Sequence, residues 1–392
     1  MKAMVLRAPS DLVLDEVARP QPGPGQVLVR ITHSGVCGTD FKIYNGSIRV
    51  PYPLIPGHEM AGEVVSIGAD LKVGPYDSES VGADGRHVRA DLRHVGANLQ
   101  HVGADLRHVG TDLRHVGADL QVRPGDRVII DPETYCGVCF YCQKGLTNLC
   151  PNGTLIGRDV NGGFAEYLIV PGSQVFKLPD SIDDRTAPMI QVLTTCLHAQ
   201  RQVDTFPADT VAVIGLGVTG QLHVQLAKAR GARVIGITRS AEKRAMAETL
   251  GADVTIAGGD NVIERVRDLT EGRGADLTIE TTGVLKQLEN SVHMTRFGGK
   301  VLMFGIYTVK EGALPFYDLY FKEVSLISAR VAKPEDYTAC VSLVERGQVK
   351  LEPLVSDVMP LGALKAAIGL LASDSGHRMK IIMDHGAMDH SA

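Results

Sequence analysis

Cys136, Cys139, Cys142 and Cys150 are separated by two, two and seven residues, a spacing that lets one short loop wrap a single metal ion. Four thiolates complete a tetrahedron around a borderline-soft ion such as zinc and leave no position for water. The set predicts a closed, structural zinc site that fixes a loop and does no chemistry itself. A disulfide framework or separately buried cysteines are the alternative. The chain shows no secretory context and is long enough for a large core, which favours the metal. Other chemically able residues lie elsewhere. Cys37 sits in Gly35-Val36-Cys37-Gly38-Thr39-Asp40, His58 and Glu59 in Pro56-Gly57-His58-Glu59-Met60-Ala61-Gly62, and a glycine motif in Gly215-Leu216-Gly217-Val218-Thr219-Gly220.

A GxGxxG motif alone is weak evidence. Here it follows the apolar run Thr210-Val211-Ala212-Val213-Ile214 and opens a helical stretch from Gly217 to Arg230, the context that dinucleotide binding requires. Gly215 permits the tight turn, Gly217 lets the backbone approach a pyrophosphate, and Gly220 allows close helix–strand packing, with Leu216 and Val218 between them. The helix N-terminus then offers free N–H groups to the phosphates. The end of the second strand selects the cofactor. An NAD site usually carries Asp or Glu there, whereas this chain has Thr238-Arg239-Ser240 with Lys243 one turn on. Hydroxyls and cations suit a 2′-phosphate, so NADP is favoured. The alternative is that Arg239 and Lys243 are solvated charges and NAD binds without an acid.

The elements that must position these groups change character along the chain. Residues 1 to about 180 hold short alternating runs broken by Gly and Pro, such as Gln26 to Ile31 and Arg127 to Ile130, and read as a mainly β domain. From about 187 to 325, apolar strands alternate with helical stretches: Arg233 to Ile237 is a strand, Ala241 to Leu250 a helix, and Leu277 to Glu280 and Lys300 to Gly305 are later strands. This predicts a doubly wound parallel sheet.

Taken in order, the four motifs resemble the medium-chain, zinc-dependent alcohol dehydrogenase family over nearly the whole chain. The Cys-Gly-Thr-Asp form and Gly163-Phe164-Ala165-Glu166-Tyr167 look closest to its polyol, threonine and sugar dehydrogenase branch. The resemblance implies an α/β chain: a GroES-like, mainly β catalytic domain over 1–186, a Rossmann cofactor domain over 187–325, and a return to the first domain over 326–392, with a last strand at Met379 to Met383. It implies a second, catalytic zinc on Cys37 and His58, with Glu59 as a neighbouring or exchangeable carboxylate. Gln191 stands where the family's third ligand is Cys, Asp or Glu. A glutamine carbonyl can ligate but is neutral, so Glu59, Glu166 or a water are alternatives. Thr39 matches the family's hydroxyl relay for the departing proton, Asp40 supports the zinc site or caps a helix, and Thr195 lies beside the nicotinamide. Cys196, Cys340 and His198 are expected to pack rather than ligate.

The activity implied is hydride transfer between a small secondary alcohol, polyol or sugar and NAD(P), by a dimer or tetramer. Lys42 stands where the threonine branch has a His, which counts against threonine as substrate. Two other readings stay open: an enone or quinone reductase on the same fold without catalytic zinc, which only Gln191 favours, and a non-catalytic scaffold. A net charge of −5 gives no reason to expect nucleic acid or an anionic membrane as partner. No apolar segment is long enough to span a bilayer. Thiols at metal spacing fit a reducing compartment, the cytoplasm.

From Ser80 to Gln121 the chain repeats a seven-residue unit, His-Val-Gly-Ala-Asp-Leu-Arg with variations. Its Leu and Val spacing reads as a heptad, while Gly96, Gly103, Gly110 and Gly117 each cost a helix about 1 kcal/mol relative to Ala. Histidines seven apart lie about 10 Å apart along a helix, too far to share one ion. The repeat reads as an insertion into a surface loop, where closure cost grows only logarithmically with length. Deleting Gly74 to Gln121 is expected to leave folding and turnover largely intact, and loss of soluble protein or of activity in that deletion would refute the reading.

Overall fold

The computed structural model of the protein describes residues 1–68, 122–372 and 378–386. The heptapeptide repeat, and the expectations attached to it, lie outside these residues. Strands β1 (Lys2–Ala8) and β2 (Asp11–Glu16) form an antiparallel pair. β3 (Gln26–Val36), β4 (Glu59–Ile67), β5 (Arg127–Ile130), β6 (Tyr167–Pro171) and β7 (Val175–Lys177) belong to one sheet. A second sheet holds β8 (Thr210–Ile214), β9 (Arg233–Thr238), β10 (Val254–Ala257), β11 (Ala275–Glu280), β12 (Thr295–Met303) and β13 (Ser325–Ser328). The chain then returns to the first sheet with β14 (Val355–Pro360) and β15 (Lys380–Asp384).

The first sheet runs β14-β15-β3-β4-β5-β7, with β6 also on β3. All of its pairings except β14 with β15 are antiparallel. The second runs β10-β9-β8-β11-β12-β13, and each of its pairings is parallel. All five residues of β8 are buried, as a central parallel strand covered on both faces requires. Strand order reverses beside β8: β9 and β10 lie on one side, β11 to β13 on the other. That is the switch point at which a doubly wound sheet opens a crevice, and Gly215 follows β8 directly. Short strands β10 and β13 carried too little periodic signal to be read from sequence.

The helix Met189–Arg201 joins the two sheets. It packs on β4 and β5 of the first and on the helix Val218–Ala229 of the second, and also on the helix Pro334–Glu345. Eleven of its thirteen residues are buried, as expected of a helix covered on all sides. Asp131, just past β5, is buried near this junction. Its Oδ1 accepts the Glu133 N–H at 3.0 Å and the hydroxyl of fully buried Tyr337 at 3.3 Å.

Burial pushes the Asp131 carboxyl up from 3.8 to about 7. The unfolded chain therefore releases this proton first as pH rises. Asp131 adds no penalty below about pH 4, a growing one between 4 and 7, and a constant one above. Asp131→Asn keeps the acceptor oxygen and removes the charge. It should stabilise the protein at pH 8 by on the order of 2 kcal/mol, a gain that shrinks as pH falls toward 4. Urea unfolding at both pH values checks this, and an equal effect at each would refute it.

Candidate functional site

Cys37 and His58 are far apart in sequence and adjacent in space because of strand register. β3 ends at Val36 and β4 begins at Glu59, and the two pair antiparallel with Gly35 opposite Glu59. The end of β3 therefore delivers Cys37 beside the start of β4. The ligand-capable atoms of Cys37, His58 and Glu59 all lie within 4.8 Å of one another. Gly35 is needed there: a Cβ on it would come within 2.1 Å of Glu59 Oε2. After Cys37 the chain turns into the helix Gly38–Tyr44, where the Asp40 carboxylate accepts the Cys37 N–H at 2.8 Å. The other Asp40 oxygen lies 3.5 Å from His58 Nδ1, with both side chains buried. Thr39 is half-buried in the first turn of the same helix.

β15 flanks β3 on its other side, with Ile381 opposite Val36. This places Lys380, which sequence reading did not single out, against the cluster. Its buried ammonium donates to both Glu59 oxygens at 2.8 and 2.7 Å, and to the Val36 carbonyl at 3.3 Å. No local sequence signal marks Lys380, since its role depends on a strand pairing 344 residues away in the chain. Burial works to lower the His58 pKa, but the Asp40 carboxylate and the Cys37 sulfur outweigh it and hold it well above 6.5. The field at this point favours a positive charge, and a thiolate, an imidazole and a nearby carboxylate form a donor set that suits zinc. Gln191 is buried in the first turn of the helix Met189–Arg201, which packs on β4. Glu166, the alternative ligand, accepts the Lys2 N–H at 2.7 Å.

The four cysteines converge in a separate lobe. Cys139 Sγ lies 3.5 Å from Cys142 Sγ and 3.8 Å from Cys150 Sγ, which is 3.6 Å from Cys136 Sγ. A zinc–sulfur bond of about 2.3 Å gives tetrahedral sulfur separations of roughly 3.8 Å, whereas a disulfide needs about 2.05 Å. The lobe fits zinc and contains no disulfide. Backbone N–H groups of Val138 and Cys139 pull the Cys136 thiol down to about 6, while desolvation and then the Cys139 sulfur push Cys142 up to about 12. Such crowding of sulfurs is what a divalent cation relieves.

The glycine motif lies at the mouth of a cleft of about 710 Å³ at the switch point. Gly215 adopts φ +89°, open to glycine, and a Cβ on Gly220 would meet the Gly215 carbonyl oxygen at 1.8 Å. A Cβ on Gly217 would meet open space. Leu216 is buried, and Val218 begins the helix Val218–Ala229. Thr238 and the exposed Arg239 line the cleft together with Asp260 and Lys286. Ser240 caps the next helix by accepting the Lys243 N–H at 3.2 Å, and it also donates to Glu242. The Thr195 hydroxyl donates to the Val192 carbonyl at 2.7 Å. Behind the motif, buried Glu280 accepts N–H bonds from Thr282 at 2.7 Å and Gly283 at 3.0 Å and the Tyr307 hydroxyl at 2.6 Å, which shapes the facing loop. Sequence reading placed Glu280 only as the end of a strand.

Residues 23–83 and 108–180 match the alcohol dehydrogenase GroES-like domain, and residues 218–346 match the zinc-binding dehydrogenase family. L-threonine 3-dehydrogenase of Pyrococcus horikoshii is 30% identical over 88% of this chain and 86% of its own length. The chain belongs to the medium-chain, zinc-dependent alcohol dehydrogenase family. D-arabitol-phosphate dehydrogenase of Enterococcus avium is 26% identical over 98% of this chain and 97% of its own. A Sinorhizobium meliloti 1021 protein of the zinc-binding dehydrogenase type, solved bound to NADP, superposes with a TM-score of 0.80 at 29% identity, covering 98% of each chain. This alcohol dehydrogenase family member is thus a zinc-dependent oxidoreductase that works with NAD(P), on a GroES-like domain joined to a Rossmann sheet. The first family match skips 84–107, inside the repeat. Among the described residues no helix is long and apolar enough to cross a membrane.

Cys196 and Cys340 are buried, as expected of packing residues. His198 does more than pack: its Nδ1 lies 3.1 Å from an Asp336 carboxylate oxygen and its Nε2 3.2 Å from Asn148 Nδ2.

The Lys380–Glu59 pair yields a test. Removing one partner leaves a buried charge uncompensated, at a cost of about 3–5 kcal/mol. Lys380→Met should lose that much stability, and adding Glu59→Gln should recover most of it. Denaturation midpoints of the two variants check this; a single variant within about 1 kcal/mol of the parent would refute it.

Proposed function

We propose that the protein oxidises a secondary alcohol, polyol or sugar, with NADP preferred over NAD. The observation that carries this reading is the cluster of half-buried Cys37 with buried His58 and Glu59. It sits on the chain that also carries the switch-point cleft, and an enone reductase has no use for it. The branch is supported by relatives named for D-arabitol phosphate, sorbitol and L-galactonate oxidation. Lys42 in place of the threonine branch's His counts against threonine.

In this reading Cys37 and His58 hold the catalytic zinc, with Gln191 or Glu59 completing its ligands. The four cysteines hold the structural ion. When bound, zinc supplies a Lewis acid at the alcohol oxygen and the nicotinamide supplies the hydride acceptor. The chain's own residues do the rest. Asp40 holds the Cys37 backbone and faces His58 Nδ1, which leaves Nε2 for the metal. Thr39 would take the alcohol proton while handing its own hydroxyl proton to solvent. Lys380 donates to both Glu59 oxygens and holds the carboxylate in place. Gly215, Leu216, Gly217, Val218 and Gly220 cradle the pyrophosphate, Thr195 flanks the nicotinamide, and Thr238, Arg239, Ser240 and Lys243 surround the adenosine ribose.

The protein is proposed to act as a homo-oligomer in the cytoplasm. Exposed Phe316, Tyr317, Tyr320 and Phe321 on one short helix near edge strand β13 support association, and the reduced thiols of the metal lobe support a reducing compartment.

Two zinc ions per subunit in protein purified without added metal would support the reading; a single ion would overturn the catalytic site. Thr238→Asp places an acid against a 2′-phosphate. It should lower kcat/KM for NADP by about tenfold or more and spare NAD, since repulsion of this kind is worth at least about 1.4 kcal/mol. Equal losses with both cofactors would contradict the assignment.

A further inference from the structure

Asn148 lies inside the metal lobe, between Cys142 and Cys150, yet its side chain points away from the sulfurs and is buried. Its Nδ2 donates to the Arg330 carbonyl at 3.0 Å and to His198 Nε2 at 3.2 Å, while its backbone carbonyl accepts from Arg330 Nη1 at 2.9 Å. For His198 Nε2 to accept, Nδ1 must carry the proton, and it donates to Asp336 Oδ2 at 3.1 Å. Asp336 is fully buried. It also accepts from Arg201 and from the Lys333 N–H, so its position is fixed from three sides. The chain of contacts thus runs from the four-cysteine lobe through His198 on the helix Met189–Arg201 to the helix Pro334–Glu345.

Gln191, Thr195 and His198 are spaced i, i+4, i+7 and share one face of that helix. A shift or rotation at His198 therefore moves Thr195 and Gln191 with it. The helix is almost wholly buried and moves only as a body.

We propose that Asn148 is a positioning residue that couples the metal lobe to dinucleotide binding, by fixing through His198 the helix face that carries Thr195 and Gln191. This rests on the roles proposed above for Thr195 and Gln191. Asn148 suits the task because its amide presents two protons to two acceptors on different segments, which serine, alanine or aspartate cannot do. Coupling of this kind is reciprocal: if the lobe sets the cofactor helix, bound cofactor must stabilise the lobe.

The test uses full-length, zinc-loaded protein. Alkylation of Cys136, Cys139, Cys142 and Cys150 under excess chelator is followed by peptide mass spectrometry, with and without saturating NADPH or NADH. Fluorescence titration first establishes that each protein binds dinucleotide; absence of binding in the parent would overturn the cofactor reading itself, not this coupling. In the parent, dinucleotide should slow alkylation roughly fivefold or more. In Asn148→Ala the lobe should open faster and the protection by dinucleotide should disappear. A merely structural Asn148 would accelerate alkylation while leaving the protection ratio unchanged, and that result would overturn the proposal, as would absence of protection in the parent. If Asn148→Ala does not fold, His198→Asn, which breaks the next contact, should lose the protection in the same way.

Discussion

The register of three strands governs the catalytic end of the molecule. β15, β3 and β4 lie side by side, with Ile381 opposite Val36 and Gly35 opposite Glu59. That alignment puts Lys380, Cys37, His58 and Glu59 at one end of the sheet. A slip of one residue in either pairing would turn the side chains to the opposite face and scatter the set. Ile31, Val36, Met60, Ile381 and Met383 are core residues, and both faces of the strands are covered at this end, since consecutive residues of each are buried. The site is thus set in the same packed core that holds the sheet.

Charge balance follows from this placement. The Cys37 sulfur and the carboxylates of Asp40 and Glu59 gather in one small volume, which favours positive charge beside them. Lys380 supplies one positive charge through its contacts to Glu59, and the geometry of Cys37, His58 and Glu59 is one that could hold a divalent ion. Lys380 offsets the Glu59 charge, and Gln191 is neutral where a thiolate or carboxylate would add another negative charge. The departure at Gln191 and the presence of Lys380 therefore bear on one quantity, the net charge around the metal.

Residues that act through local spacing were legible in the sequence. The four cysteines and the glycine motif each lie within a few turns of chain, and their geometry follows from spacing and from flanking strand and helix patterns. Lys380, Glu280 and Asn148 were not legible, because each acts through a contact set by topology: Lys380 across β15 and β3, Glu280 behind a facing loop, Asn148 across 50 residues to His198. His198 shows the same limit. Its apolar neighbours suggested packing, while its polar partners come from two segments that no local pattern connects to it.

Topology also explains how a long repeat can coexist with this site. β4 starts at Glu59, in the metal cluster, and ends at Ile67, eight residues or about 27 Å further along the strand. The described chain stops at Gly68 and resumes at Val122, on the segments that flank the β4–β5 pair at this remote end. Both edges are tied down there. The Gly68 N–H donates to the Gln26 carbonyl at 2.9 Å, and the Val64 carbonyl accepts the Gly125 N–H at 2.8 Å. A Cβ on Gly68 would meet the Gly23 carbonyl oxygen at 1.9 Å, so the exit itself is closely packed. Segments added between two anchored, neighbouring strand ends change the closure entropy of one loop and leave the register of β3, β4 and β15 untouched. On the reading of the repeat as an insertion, its position between anchored strand ends, more than its sequence, is what would keep the site intact.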